Sequence, residues 1–295
     1  MAAVPSAILA MVVATLLWGA TFVVVRDSLT GLAPGTLVSV RFGAAAVVLA
    51  AIALRRGVRP SRATVVGGVA GGVAAAGGYL FQAIGLTSTS AGSSAFLTST
   101  GTLFAGLFAW PLLGQRPGGR LVLGLLVALL GSAMLGLRGG FALSAGDGWT
   151  LLGAWCFALQ VVALARFAPS GDAVTITAIQ AAVASLCTLP TAVDPARQLA
   201  ALDGAGLARL AYLIAGGSVL APLLQVTAQR SLPPGRIGLL FALEPVFALA
   251  FALAFGSERF VPRWWAGAAL ILFAVVWVEW GEARRSAATT PTATA

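Results

Sequence analysis

Apolar residues run along the chain in stretches of about twenty, separated by short polar segments rich in glycine, proline and arginine. A helix of about 20 residues crosses the roughly 30 Å hydrocarbon core of a bilayer. We count ten such stretches, at residues 6–25, 35–54, 64–86, 92–113, 120–137, 148–167, 172–192, 207–229, 236–256 and 262–282. The pattern predicts an all-α integral membrane protein with ten transmembrane helices and no separate soluble domain.

Composition agrees with this prediction. Of the 295 residues, 59% are hydrophobic and only 9% are charged, and the mean hydropathy is +0.96. Soluble domains carry about 25% charged residues. The first stretch lacks the basic segment that opens a signal peptide, so we expect it to be the first helix. Residues 284–295 end in small polar residues and are predicted to form a disordered cytoplasmic tail.

The basic residues predict the orientation of the chain in the membrane. All eighteen are arginines, and the net charge is +9. In a soluble protein this charge would suggest nucleic acid as a partner. Here, with a cytoplasmic N-terminus, eleven arginines fall on the cytoplasmic side and six on the other, and the cluster at residues 55–62 contributes most. The positive-inside rule therefore places both termini in the cytoplasm, and we expect the bilayer, not nucleic acid, as partner.

Several kinds of chemistry are missing from the sequence. It contains no histidine and no lysine, and it has no phosphate-binding loop, GxSxG or HExxH motif. Histidine is the commonest general base and metal ligand. We therefore expect no catalytic residue, no cofactor and no metal, and an ATP-driven pump or a membrane enzyme is disfavoured.

The chain also repeats itself at an offset of 143 residues. The matches include a glutamine, a glycine and two arginines, Gln82 with Gln225, Gly92 with Gly235, Arg116 with Arg259 and Arg120 with Arg263. Trp18 and Trp155 open the two halves in similar contexts at an offset of 137. We expect five helices in each half, residues 1–140 and 141–283. Because five is odd, the halves enter the membrane in opposite orientations, as in many secondary transporters.

At its end the chain resembles a known repeat. Residues 244–279, EPVFALAFALAFGSERFVPRWWAGAALILFAVVWVE, resemble the ending of an EamA-type repeat, with a proline in the helix, a Gly–x–Glu at its end and a glycine-started apolar helix. A second copy is TGTLFAGLFAWPLLGQRPGGRLVLGLLVALLGSAML, and WGATFVVVRDSL and LVSVRFGAAAVVL match the family pattern. The resemblance implies the drug/metabolite transporter superfamily, with ten helices in two inverted five-helix repeats. It also implies export of small metabolites through the bacterial inner membrane, and the chain is further similar to exporters of aromatic and other amino acids.

Some positions depart from that pattern. Gly101 and Thr102 occupy the places that Glu244 and Pro245 hold in the second repeat. The small drug/metabolite transporters carry an essential glutamate in their first helix, where this chain has Thr15, Trp18 and Thr21. The role of that glutamate is therefore not carried over.

Two charged residues, Glu244 and Arg41, lie at depth within predicted spans. A charge facing lipid costs about 2.5–3.5 kcal/mol, so Glu244 and Arg41 are expected to face the interior. Helix rise places them roughly 8 Å apart along the membrane normal. A structural ion pair and binding of a charged substrate both remain open. Pro245 removes a helix hydrogen bond and predicts a break, either for packing or beside a cavity.

The remaining candidates are polar or aromatic residues expected at depth. Amides are costly to bury without a partner, whereas threonines in membrane helices usually bond between helices. Tryptophan rings stack on flat substrates or simply pack. The candidates are Trp18, Tyr79, Gln82, Thr98, Trp155, Gln160 and Gln225.

Together these features predict a secondary transporter. We expect it to export small organic metabolites, amino acids including aromatic ones first among them, by alternating access around a cavity between the repeats. Ten spans supply both halves, so a monomer suffices. The alternatives are a multidrug or cationic-compound exporter, a membrane enzyme and a membrane scaffold without transport activity.

Overall fold

The computed structural model describes residues 3–136, 144–255 and 261–288, and within them it contains helices and no strand. Ten helices of this part are long and apolar enough to cross a membrane, which confirms the predicted number. Large apolar side chains cover the outside, where Val47, Leu54 and Trp265 are 72–80% exposed. The helices are α1 (Ala3–Ser28), α2 (Pro34–Arg55), α3 (Arg62–Leu86), α4a (Ala91–Ser99) with α4b (Gly101–Leu113), α5 (Gly119–Gly136), α6 (Ala145–Phe167), α7 (Ala173–Thr188), α8 (Gly204–Tyr212, Leu213–Leu220 and Ala221–Gln229), α9a (Pro234–Phe241) with α9b (Glu244–Ala254), and α10 (Arg263–Ala288).

Helix packing follows the inverted repeat. In the first half, α3 packs on α6 and α7; in the second half, the corresponding α8 packs on α1 and α2. In the same way α4 packs on α6 and α9 on α1. The helices α2 and α5 each pack on their own counterparts, α7 and α10. A two-fold axis in the membrane plane produces this exchange of partners.

Both repeats break their fourth helix at the same place. The regular helix is interrupted at Thr100 in α4 and, 143 residues later, at Leu243 in α9. In α9, Pro245 has no N–H to donate to the carbonyl four residues earlier. The first repeat has no proline there, but a Cβ added at Gly101 would lie 2.7 Å from the Ala154 carbonyl oxygen of α6. The break therefore belongs to the fold and does not depend on the proline alone.

Glycines bring α3 against the second repeat. A Cβ added at Gly78 would lie 2.5 Å from the ring of Phe157 in α6. A Cβ added at Gly72 would lie 2.6 Å from Val183 in α7. Small residues allow such close approach of membrane helices. This packing positions the face of α3 that carries Tyr79.

The loop between α6 and α7 is held by Asp172, outside the membrane-spanning segments. Its carboxylate accepts hydrogen bonds from the Thr175 N–H (2.9 Å) and hydroxyl (2.8 Å) and forms an ion pair with Arg56 (3.1 Å). Partial burial alone would raise the pKa of Asp172, but these hydrogen bonds and the arginine charge outweigh it and lower that pKa.

The C-terminal tail differs from its prediction. Helix α10 continues to Ala288, so residues 284–288 are helical and only residues 289–295 lie outside the described part. Arg259, one member of the repeat matches, also lies outside the described residues.

Candidate substrate cavity between the two repeats

A cavity lies where α1, α3, α4, α6 and α9 meet. It has a volume of about 570 Å³, counting the part that is open to the surroundings. Six of the predicted residues line it, namely Trp18, Tyr79, Gln82, Thr98, Gln160 and Glu244.

The cavity lies on the internal symmetry of the chain. Three pairs of lining residues stand 143 positions apart, and they are Trp18 with Val161, Thr98 with Phe241, and Gly101 with Glu244. Because both members of each pair face the same space, the cavity lies between the two repeats. Transporters with inverted repeats bind their substrates at this kind of interface.

Aromatic rings form much of its wall. Trp18 stacks on Phe241 with ring centroids 5.5 Å apart, and Tyr79 meets Phe157 edge-on at 4.9 Å. The indole N–H of Trp18 donates a hydrogen bond of 3.0 Å to the carbonyl of Gly217. Gly217 belongs to the π-helical part of α8, and such segments are frequent at functional sites. This bond fixes the orientation of the tryptophan ring.

Two glutamine side chains line the cavity, and their amide nitrogens differ in hydrogen bonding. Gln82 donates a 3.0 Å hydrogen bond from its Nε2 to the Thr98 hydroxyl, so α3 and α4 are joined there. Gln160 is buried, and within the described residues its Nε2 has no hydrogen-bond partner. An unpaired buried amide is costly. A bound ligand with an acceptor oxygen would relieve that cost.

Glu244 is the charged group of the cavity wall. It is the first residue of α9b, and only 4% of its surface is exposed. Among the described residues no ion pair and no side-chain hydrogen bond reaches its carboxylate. The helix N-terminus favours a negative charge, but a buried carboxylate remains costly without a partner. Pro245 is buried next to it and does not line the cavity.

Arg41 lies behind this wall rather than in it. Its guanidinium packs between two rings, 4.7 Å from the Tyr79 centroid and 4.8 Å from that of Phe42. The residue is 3% exposed, and its Nε has no partner in the described part of the chain. The described residues form no ion pair between Arg41 and Glu244, so the structural pair considered above is absent. The sequence predicted only how far apart the two residues lie along the membrane normal. It did not predict their distance within the membrane plane.

Trp155 is a correction to the expected site. Half of its surface is exposed on the outside of the bundle, where its ring meets Phe104 at 5.3 Å. The offset of 137 used to match it with Trp18 is six residues short of the repeat offset. Six residues turn a helix by about 240°. The position that corresponds to Trp18 is Val161, which does line the cavity.

Gln225 is also outside the cavity. It is fully buried in α8, which packs on α1, and neither its amide nitrogen nor its oxygen has a partner among the described residues. The sequence pattern missed other lining residues, including Thr21, Phe157 and Phe241. Phe241 was detectable, because it stands 143 positions after Thr98. Phe157 was detectable from its helical spacing to Gln160.

Ten membrane helices in two inverted repeats, with a polar and aromatic cavity between them, are the architecture of a membrane transporter. The model of the EamA-like transporter family matches residues 5–137 and 144–280, and the chain belongs to this family. The resemblance to EamA-type repeats is thus confirmed, whereas the narrower similarity to amino-acid exporters stays a prediction.

Two individual proteins are similar to the chain. An "Uncharacterized transporter" of Archaeoglobus fulgidus is 26% identical over 271 residues, which cover 92% of this chain and 85% of the relative. A solved structure, "Crystal structure of protein", matches with a TM-score of 0.75 and 23% identity over 95% of this chain and 98% of its own. At that identity the structural likeness shows the fold alone.

Proposed function

We propose that this transporter exports small organic metabolites, amino acids including aromatic ones first among them, across the bacterial inner membrane. The observation that carries the proposal is a cavity between the repeats that combines a carboxylate, amides and five aromatic rings. No ATP-binding motif is present in the sequence. We therefore infer a secondary transporter that works by alternating access, with both termini in the cytoplasm and a monomer as the working unit.

The charges around the cavity favour a zwitterion. Glu244 faces the cavity and Arg41 lies one ring behind it, and neither is neutralised by a described residue. A buried charge without a partner is expensive. An amino acid brings an ammonium group for Glu244 and a carboxylate that offsets the field of Arg41. The Nε2 of Gln160, which has no hydrogen-bond partner among the described residues, adds a donor for that carboxylate.

The rings favour an aromatic or flat apolar side chain. Trp18 and Phe241 stack on each other, and Tyr79 and Phe157 meet edge-on. Aromatic pairs prefer offset or edge-to-face contacts worth about 0.5–1.5 kcal/mol beyond area burial. The phenyl or indole ring of a substrate could stack on one of these pairs and meet the other edge-on.

An organic cation is the second candidate. The carboxylate of Glu244 among aromatic rings is an environment in which cations bind, because ring faces attract positive charge. A cation without a carboxylate would leave Arg41 unbalanced, and this difference favours the amino acid.

Transport into proteoliposomes tests the proposal. Labelled phenylalanine and labelled tetraphenylphosphonium are offered to vesicles that contain the purified protein, with and without a pH gradient. We expect protein-dependent uptake of phenylalanine that unlabelled tryptophan inhibits. Uptake of the phosphonium ion alone would establish the cation exporter. Uptake of neither above empty vesicles would refute both candidates.

A further inference from the structure

A second cavity, which we call the arginine pocket, lies at the other end of α4b. It measures about 880 Å³, counting its open part, and it lies between the loop after α4b, α5, the start of α9a and the end of α10. Its inner wall is apolar, with Ala109, Leu121 and Val278. Three guanidinium groups line it, those of Arg116, Arg236 and Arg285.

The pocket carries more positive than negative charge. Arg236 forms a two-pronged ion pair with Glu279, and Arg285 forms one of 3.3 Å with Glu282. Arg116 has no carboxylate partner among the described residues. Its guanidinium instead lies 5.0 Å from the ring centroid of Trp110. One positive charge therefore remains for a ligand to neutralise.

The N-termini of two helices add to the positive electrostatic potential of the pocket. Gly118, just before α5, and Gly235, in the first turn of α9a, both line the pocket. Helix N-termini carry partial positive charge and favour anions. The arginines and both helix starts thus act on one space, which suits a phosphate group.

The pocket also has the surroundings of a lipid site. Trp110, beside Arg116, is 48% exposed on the outside of the bundle, and Leu112 in the same helix is 60% exposed. Tryptophan concentrates at the membrane–water interface. A phosphate at Arg116 would therefore leave the chains of its lipid beside apolar surface. The pocket is on the same side as the arginine cluster 55–62, the side assigned to the cytoplasm, whose leaflet attracts basic segments through anionic lipids.

We propose that the arginine pocket binds the phosphate of an anionic phospholipid headgroup, with Arg116 as its main contact. The apolar inner wall and the exposed Trp110 favour a lipid over free phosphate. This site lies apart from the cavity between the repeats, so it does not depend on the proposed substrate.

Thermal unfolding of the purified protein in neutral detergent tests this. Tm is measured with added phosphatidylglycerol, with phosphatidylcholine of the same acyl chains, and with inorganic phosphate. We expect phosphatidylglycerol alone to raise Tm. In Arg116→Gln its apparent affinity should fall about fivefold, the equivalent of about 1 kcal/mol for one basic group at an anionic surface. Arg116→Lys keeps the charge and should keep most of the shift.

Arg59→Gln is the matched control, because it removes one exposed arginine on the same side of the membrane. It should leave the lipid effect unchanged. Equal losses in Arg59→Gln and Arg116→Gln would mean general attraction to charge and would overturn the site. No difference between the two lipids would overturn it as well. An equal Tm rise with inorganic phosphate would overturn the lipid as the ligand.

Discussion

Glu244 should recognise the ammonium group of an amino acid substrate, and a thermodynamic cycle measures this contact directly. The cycle pairs Glu244→Gln with removal of the ammonium from the ligand, by comparing phenylalanine with 3-phenylpropionate. Glutamine keeps the size of the side chain but removes its charge and replaces one acceptor oxygen by an NH2 donor. Each single change breaks the same contact, so the double change should cost little more than either one.

The expected free energy of the contact between Glu244 and the ammonium group follows from the burial of the carboxylate and from its lack of a partner among the described residues. Glu244 is 4% exposed, so solvent screens little of its charge. Hydrogen bonds between charged groups contribute about 1.5–3 kcal/mol, which corresponds to roughly 10- to 150-fold in affinity. No described residue competes for the carboxylate, so the ligand should receive most of this energy.

Isothermal titration in detergent gives the four affinities. The unmodified protein should prefer phenylalanine over 3-phenylpropionate by about 10- to 150-fold. In Glu244→Gln the preference should shrink to about threefold or less, within the error of such cycles. Glu282→Gln, the same chemical change outside the cavity, should keep the full preference. An undiminished preference in a folded Glu244→Gln protein would refute the contact.

Three further predictions concern other parts of the molecule. Trp18→Phe replaces the indole by a smaller phenyl ring and loses the hydrogen bond to α8. It should therefore lower the free energy of unfolding by about 1 kcal/mol or more and slow uptake of phenylalanine into proteoliposomes. Gly101→Ala places a Cβ 2.7 Å from a carbonyl oxygen and should cost about 1–3 kcal/mol in thermal unfolding, whereas Gly118→Ala enters open space and should be nearly neutral. Asp172 has a lowered pKa, so its stabilising effect is present above its unfolded pKa of about 3.9 and is lost as pH falls through the folded pKa. The Tm difference between the protein and Asp172→Asn should therefore be largest near neutral pH and vanish in strong acid.

The sequence predicted the fold well because the bilayer imposes a length on every helix. Ten apolar stretches became ten helices, since each must satisfy its own backbone hydrogen bonds in lipid. The argument from span length does not apply to the tail, where α10 continues through the polar residues 284–288. Outside the hydrocarbon, length and hydropathy no longer fix the end of a helix.

The site was predicted less completely, and the reason is rotation about helix axes. Tyr79, Gln82 and Glu244 face the cavity, as the cost of burying polar groups in lipid requires. That cost excludes lipid but does not distinguish a cavity from a packed helix interface. Arg41 therefore lies behind the ring of Tyr79 and not in the cavity. Trp155, an apolar residue, was free to face lipid.

The two repeats share a framework but not a charge, and packing explains why. Position 101 of the first repeat corresponds to Glu244, yet the carbonyl of Ala154 lies where a Cβ at Gly101 would be. No side chain, acidic or otherwise, fits there without moving α4 away from α6. Under the proposed alternating access the framework would exchange conformations between its halves, while the one carboxylate among the described cavity residues stays on one side of the axis. A substrate whose ammonium contacts Glu244 is held in one orientation in both conformations, because the first repeat offers no equivalent contact.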